Sequence, residues 1–115
     1  MPAGTYDITC DQGATFSRVI TWKNSNGTAI DLTNYTARMQ VRANYPATST
    51  VLNLTTENGG ITLGGVAGTI TLAATATATA AISADQYVYD LELITGAQVT
   101  RVVEGTFTVT PEVTR

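Results

Sequence analysis

The chain has 115 residues, 43% of them hydrophobic and 13% charged, so its length suits one domain with one core. Six basic and nine acidic residues give a net charge of -3 without a run of like charge, which excludes the basic stripe that nucleic-acid or anionic-membrane binding requires. Because histidine is absent, Ser-His-Asp, Cys-His and most transition-metal sites are excluded, and we expect no catalysis, no cofactor and no small-molecule substrate.

Threonine is abundant, and a β-branched side chain with a polar end favours the surface of a sheet. Eight short extended segments separated by turn residues are typical of two packed sheets. They cover residues 5–9, 15–23, 36–42, 51–55, 61–63, 69–72, 86–94 and 98–110. We therefore predict one all-β domain over residues 1–115, an antiparallel β-sandwich.

The first third of the chain combines a half-buried strand with two turns. Cys10, the single cysteine, is expected to be a small buried hydrophobe. In residues 15–23 apolar side chains alternate with polar ones, and Arg18 interrupts the apolar face, where we expect it to snorkel or to pair with a carboxylate. The Asn- and Gly-rich residues 24–28 predict a hairpin loop, and Asp31 is expected to accept backbone N–H bonds in a turn.

The middle of the chain holds one clear strand and one ambiguous segment. Residues 37–42 alternate apolar and polar side chains without error, which predicts a strand with one exposed face. Residues 73–81 alternate Thr and Ala, so the period favours a strand while the alanine content favours a helix. We predict one short helical turn here, before Tyr87 and the C-terminal hairpin.

The C-terminal segment is expected to be a β-hairpin that forms the centre of the core. A turn at residues 95–97 separates its two strands, and the second strand is long enough to need a bend. Gly105 is the predicted bulge, because glycine relieves crowding there. The side chains expected on the inner faces are Tyr87, Tyr89, Leu91, Leu93, Val99, Val103, Phe107 and Val109.

Two acidic residues on the opposite face are the only paired carboxylates in a strand. Asp90 and Glu92 are neighbours on that face, so calcium binding or acid–base chemistry is conceivable. A calcium site would need further oxygen ligands, and a glycosidase pair normally projects from different strands. We expect a solvated face or cross-strand pairing with Arg101, which the short turn brings close.

The aromatic residues divide into core and contact candidates. Strand alternation places Trp22, Tyr87 and Tyr89 on inner faces. Tyr35 and Tyr45 lie in predicted loops, so they are the candidates for contact with another molecule, including a sugar if both loops lie at one end of the sandwich.

The last strand is a candidate assembly edge. Residues 106–110 contain neither Lys nor Pro, the usual protections against edge pairing, so the segment is expected to accept a strand from a neighbouring subunit. Thr106, Thr108 and Thr110 are the corresponding candidate contact residues.

Six segments carry a resemblance to a known group of proteins. They are residues 11–16 (DQGATF), 19–22 (VITW), 30–33 (IDLT), 37–42 (ARMQVR), 87–93 (YVYDLEL) and 104–114 (EGTFTVTPEVT). On these segments the chain resembles structural proteins of tailed bacteriophages, in particular the immunoglobulin-like N-terminal domain of phage baseplate upper proteins. The resemblance implies an immunoglobulin-like antiparallel β-sandwich used as a repeated building block in a virion. Because no coiled coil or receptor-binding domain follows before Arg115, we expect an adaptor or decoration subunit.

The functional expectation is therefore a non-enzymatic structural subunit of a bacteriophage virion, at the tail, baseplate, neck or fibre attachment. It would be made in the host cytoplasm, since residues 1–5 lack the features of a signal peptide, and would bind other virion proteins and copies of itself. Two alternatives stay open: a capsid decoration protein, and a host-glycan-binding module that uses Tyr35 and Tyr45.

Overall fold

A computed structural model describes residues 4–23 and 26–113, and within them the chain forms nine strands, one α-helix and one 3-10 turn. The strands are β1 (Gly4–Thr5), β2 (Ile8–Asp11), β3 (Phe16–Thr21), β4 (Thr36–Arg42), β5 (Leu52–Thr55), β6 (Ile61–Leu63), β7 (Thr69–Ala74), β8 (Asp85–Thr95) and β9 (Gln98–Thr110). The α-helix is α1 (Ala76–Ala80), and the 3-10 turn is Gly65–Ala67. Asn24 and Ser25 of the predicted loop, and Thr114 of the last resembling segment, lie outside the described residues. Neither helix of the described part is long and apolar enough to span a membrane.

The strands form two sheets that pack face to face. The large sheet has the order β1-β9-β8-β4-β5, with β2 following β1 along the same side of β9, and the small sheet has the order β3-β7-β6. β4, β8 and β9 correspond to strands C, F and G of an immunoglobulin sandwich, and β3, β7 and β6 correspond to B, E and D. The predicted all-β sandwich is confirmed, as is the short helical turn before the C-terminal hairpin.

The core lies between the two sheets and draws on both. Phe16 of the small sheet meets Phe107 of the large sheet with ring centroids 5.6 Å apart in an edge-to-face arrangement. The C-terminal hairpin supplies the buried side chains predicted for it, except at Val99. The fully buried large residues include Ile8, Leu32, Met39, Val41, Ile70, Leu72, Leu91, Leu93 and Phe107.

The bulge in β9 lies at Val102, not at Gly105 as predicted. Leu91 of β8 pairs with Val103 while its neighbour Glu92 pairs with Arg101, so Val102 is the extra residue. An extra residue reverses which side chains face inward on its N-terminal side. For that reason Val99 points outward and is 49% exposed, against its predicted inner position.

Gly105 has a different structural role, which is to let the N-terminal segment approach. A Cβ atom on Gly105 would lie 2.5 Å from the carbonyl oxygen of Tyr6, so only glycine fits. The segment predicted as one strand over residues 5–9 is interrupted at this point between β1 and β2. There the Tyr89 hydroxyl donates to the Tyr6 carbonyl, and the Thr106 N–H donates to Asp7 Oδ1 over 3.1 Å.

The corner between the two sheets is built by α1 and the start of β8. The Thr75 hydroxyl oxygen caps α1 by accepting from the Ala78 N–H over 3.1 Å. The Tyr87 hydroxyl donates to the Ser83 carbonyl over 2.6 Å, the arrangement known as a tyrosine corner in immunoglobulin-like folds. The predicted turn at Asp31 is also confirmed, because its Oδ1 accepts from both the N–H and the hydroxyl of Thr33.

Candidate protein-binding surface

The side of the large sheet that faces away from the core carries much of the charge of the chain. In β4 and β8 every second side chain points outward, and in β9 the same alternation holds on each side of the bulge at Val102. Three of the six basic residues of the sequence lie on this side. We call it the outer face, and its residues are Arg38, Gln40, Arg42, Val88, Asp90, Glu92, Arg101, Glu104, Thr106 and Thr108.

Cross-strand ion pairs organise the outer face. Arg38 of β4 donates from Nε to Glu92 Oε1 over 2.8 Å, and Arg101 Nε lies 3.3 Å from Asp90 Oδ2. The expected pairing of the acidic residues with Arg101 is therefore confirmed for Asp90, whereas Glu92 pairs with the strand on its other side. Exposed pairs of this kind add at most about 1 kcal/mol to stability, so their main effect here is to fix the pattern of charge.

Asp90 lies among four other charged side chains of the outer face. Partial burial is the largest cause that raises the pKa of its carboxyl group, and the neighbouring Glu92 and Glu104 carboxylates raise it further, against the opposing effect of Arg101 and Arg38. A carboxylate held among other carboxylates gains from an additional positive partner. The outer face therefore favours a cationic group near Asp90.

A groove of ≈ 400 Å³ runs along the outer face between β4 and β8. At its end, Arg42 donates from Nη1 to the Ala47 carbonyl and from Nη2 to Gln40 Oε1, each over 2.8 Å. These bonds hold the connection that carries Tyr45, whose side chain is 74% exposed. The groove is lined by Arg38, Gln40, Arg42, Tyr45, Val88, Tyr89, Asp90 and Glu92.

The structure brings together some of the predicted contact residues. Tyr45 lines the groove, and Thr106 lies beside it because its β9 position pairs with Val88. Thr108 is on the same face one pair further along, opposite Gln86. Thr110, at the end of β9, donates from its hydroxyl to Asp11 Oδ1 over 2.8 Å.

Tyr35 does not join them, which corrects the expectation of two tyrosine loops at one end of the sandwich. Tyr35 precedes β4 and Tyr45 follows it, so the two residues lie at opposite ends of that strand. Tyr35 is half-buried, with its ring edge-on to Trp22 at a centroid distance of 6.3 Å. A single sugar platform made from both rings is therefore ruled out by the fold.

Residues 106–110 are not a free edge, contrary to the sequence-based expectation. β9 pairs with β8 on one side and in parallel with β2 on the other, where Thr9 lies opposite Thr108 and Cys10 opposite Val109. The absence of Lys and Pro reflects an interior strand here, which needs no such protection. Thr106 and Thr108 can contact a partner through their side chains only.

Three residues of this surface were not predicted from the sequence as contact candidates: Arg38, Gln40 and Arg42. The signal was present in residues 37–42, where these three polar residues alternate with buried apolar ones and so must share the exposed face. What the sequence could not show is that β8 would lie next to this strand and add its own charges to the same face.

The rest of the described chain offers little other chemistry. Within residues 4–23 and 26–113, no group of three or more His, Cys, Asp or Glu side chains is placed to hold a metal ion. Cys10 is 1% exposed, as expected for a buried hydrophobe, and burial is the main cause that raises the pKa of its thiol.

No protein-family model matches the chain, and no curated protein matches its sequence.

Proposed function

We propose that this chain is a non-enzymatic structural subunit of a bacteriophage virion, an adaptor or building block at the tail, baseplate, neck or fibre attachment. The virion assignment rests on the resembling segments of the sequence. The observation that supports a protein-binding role is the outer face, where a groove combines paired charges of both signs with the exposed ring of Tyr45.

Physical chemistry favours protein as the occupant of this groove. Tyr and Arg are among the residues enriched where interfaces gain their binding energy, because each buries a large surface and keeps a polar group that can form hydrogen bonds. Fixed charges of both signs select a partner with the complementary pattern and reject others. The partners we propose are other virion structural proteins and further copies of this chain.

Mass spectrometry of purified virions tests the virion assignment. We expect the chain at a fixed copy number per particle, as the closed symmetry of a phage tail requires. Imaging of particles that carry a labelled chain would then separate a tail position from a capsid position, and a capsid position would favour the decoration alternative. If the chain is missing from purified virions, the assignment fails.

Substitutions on the outer face test the binding surface itself. Tyr45→Ala and Thr108→Glu should leave the melting temperature of the isolated chain nearly unchanged, because both side chains lie outside the core, yet they should reduce incorporation into particles. Thr62→Glu is the matched control, since Thr62 is an exposed strand residue on the small sheet. Equal incorporation of all three variants would show that the outer face is not the contact surface.

A further inference from the structure

β3 forms an edge of the small sheet and leaves half of its backbone groups pointing outward. The Trp22 N–H donates to the Gly68 carbonyl over 2.8 Å, which fixes the phase of the antiparallel ladder between β3 and β7. The even-numbered residues of β3 therefore bond to β7. Ser17, Val19 and Thr21 direct their N–H and C=O groups away from the sheet.

Side chains bond to outward backbone groups at the other long edges of the sandwich, most fully at β5. At β5 the Asn58 amide accepts from the Thr55 N–H over 2.9 Å and donates to the Asn53 carbonyl over 3.0 Å, so it takes the place of a neighbouring strand. At β2 the Thr9 carbonyl accepts from Arg18 Nη2 over 2.6 Å. Such coverage is how proteins prevent edge-to-edge association.

Within Phe16–Thr21, β3 has this protection at one outward group, the Ser17 carbonyl, which Arg18 covers, while the outward groups of Val19 and Thr21 stay open. It has six residues without Lys or Pro, and Val19 is 61% exposed on it. Arg18 does not pair with a carboxylate as one expectation had it: its guanidinium lies 5.2 Å from the centre of the Phe16 ring and donates from Nη1 to the Ser17 carbonyl. Because a carbonyl oxygen has two lone pairs, that carbonyl is still able to accept a strand N–H.

We propose that β3 pairs in antiparallel orientation with β3 of a second copy of this chain, about a two-fold axis at Val19. In this register Val19 lies opposite its own counterpart and Ser17 lies opposite Thr21, so every outward N–H and C=O group of the three residues gains a partner. The two small sheets become one continuous sheet. This inference is independent of the virion assignment.

Self-pairing is favoured over a foreign strand because the edge is complementary to itself. The three outward residues are symmetric about Val19, as a two-fold interface requires. On the exposed side the paired residues Ser17, Val19 and Thr21 carry no charge, and the two valines cover each other. On the inner side Arg18 lies opposite Ile20 of the second copy, so the two Arg18 side chains are diagonal neighbours and not directly opposite each other.

Sedimentation equilibrium of the purified chain over a dilution series tests the pairing. We expect a monomer–dimer equilibrium, and hydrogen exchange should show the amides of Ser17, Val19 and Thr21 protected only at dimeric concentrations. The Ile20 amide is the internal control, because its bond to β7 protects it in monomer and dimer alike.

Val19→Lys should weaken the dimer by about tenfold or more, since it places two ammonium groups opposite each other at the axis. Val99→Lys makes the same change at an exposed strand valine of the large sheet and should leave the dimer intact. A chain that stays monomeric at the highest soluble concentration overturns the proposal. A dimer whose affinity is unchanged by Val19→Lys also overturns the proposal. The same holds for a dimer in which hydrogen exchange shows no protection of the Ser17, Val19 and Thr21 amides. Hydrogen exchange on the unsubstituted chain decides the question even if Val19→Lys fails to fold.

Discussion

Phe107 is the residue on which the two sheets converge. Its side chain is fully buried, with ring centroids 5.6 Å from Phe16 and 6.4 Å from Tyr89. Phe107→Ala would leave a cavity between the sheets, and such truncations cost about 3–5 kcal/mol. Since whole-domain stability is about 5–15 kcal/mol, we expect a marginally folded chain, measured by urea denaturation of the isolated protein.

Thr108 is the control for this prediction, because it is the next residue of β9 and points to the outer face. Thr108→Ala should change the free energy of unfolding by less than about 1 kcal/mol. A large loss from Thr108→Ala, equal to that from Phe107→Ala, would contradict the assignment of the two faces.

Thr79 connects the short helix α1 to the turn that follows β2. It is fully buried, its hydroxyl oxygen accepts from the Gly13 N–H over 3.1 Å, and its hydroxyl donates to the Ala14 carbonyl over 2.8 Å. Thr79→Val keeps the shape but removes both bonds, and a buried group left unpaired costs about 1–3 kcal/mol. We expect a loss of that size in the free energy of unfolding, measured by denaturant titration.

The matched control is Thr77→Val, which makes the same change at an exposed position of α1. It should alter stability by less than about 0.5 kcal/mol. If the two variants lose equal stability, helix propensity rather than the buried hydroxyl explains the effect.

The strands themselves show how far an element can be predicted from its pattern. Residues 36–42 and 98–110 have the bounds that alternation and turn residues predict, because one buried face imposes a period of two on the side chains. The prediction that Val99 faces inward was wrong because of the bulge at Val102. The extra residue shifts the inward–outward alternation of the side chains in β9 without changing the composition of the segment.

The pH dependence of stability is a property of the whole molecule in which two carboxyl groups act in opposite directions. Partial burial and neighbouring acidic groups raise the pKa of Asp90 in the folded chain, so its contribution to stability is present at low pH and is lost as pH rises through the folded pKa. Hydrogen bonds from Thr33 lower the pKa of Asp31, so its contribution is present above its unfolded pKa and is lost at low pH.

Asn substitutions separate the two contributions, because Asn has the size of Asp and does not ionise. The melting temperature of Asp90→Asn, relative to the unsubstituted chain, should be higher at about pH 7 than at about pH 2.5. For Asp31→Asn the same comparison should have the opposite sign. Thermal denaturation followed by circular dichroism measures both, and a common sign for the two variants would refute the assignment.

The sequence by itself determined the fold class, most strand positions and most of the core. Alternating side chains, Gly- and Asn-rich turns and scarce charge are local properties, and each acts within a few residues. The alanine-rich α1 and the turn at Asp31 follow from the same local chemistry.

Only the tertiary structure decided which strands are neighbours, and with that which edges are open. The sequence of β9 predicts an unprotected edge strand. In the structure the N-terminal segment pairs with β9 in parallel, and Gly105 leaves room for the backbone of Tyr6, so β9 is an interior strand. β3 is an open edge for a related reason. The N-terminal segment with β1 and β2 pairs with the large sheet and therefore does not cover β3. Pairing between segments about a hundred residues apart depends on the packing of the whole chain, and no local pattern encodes it.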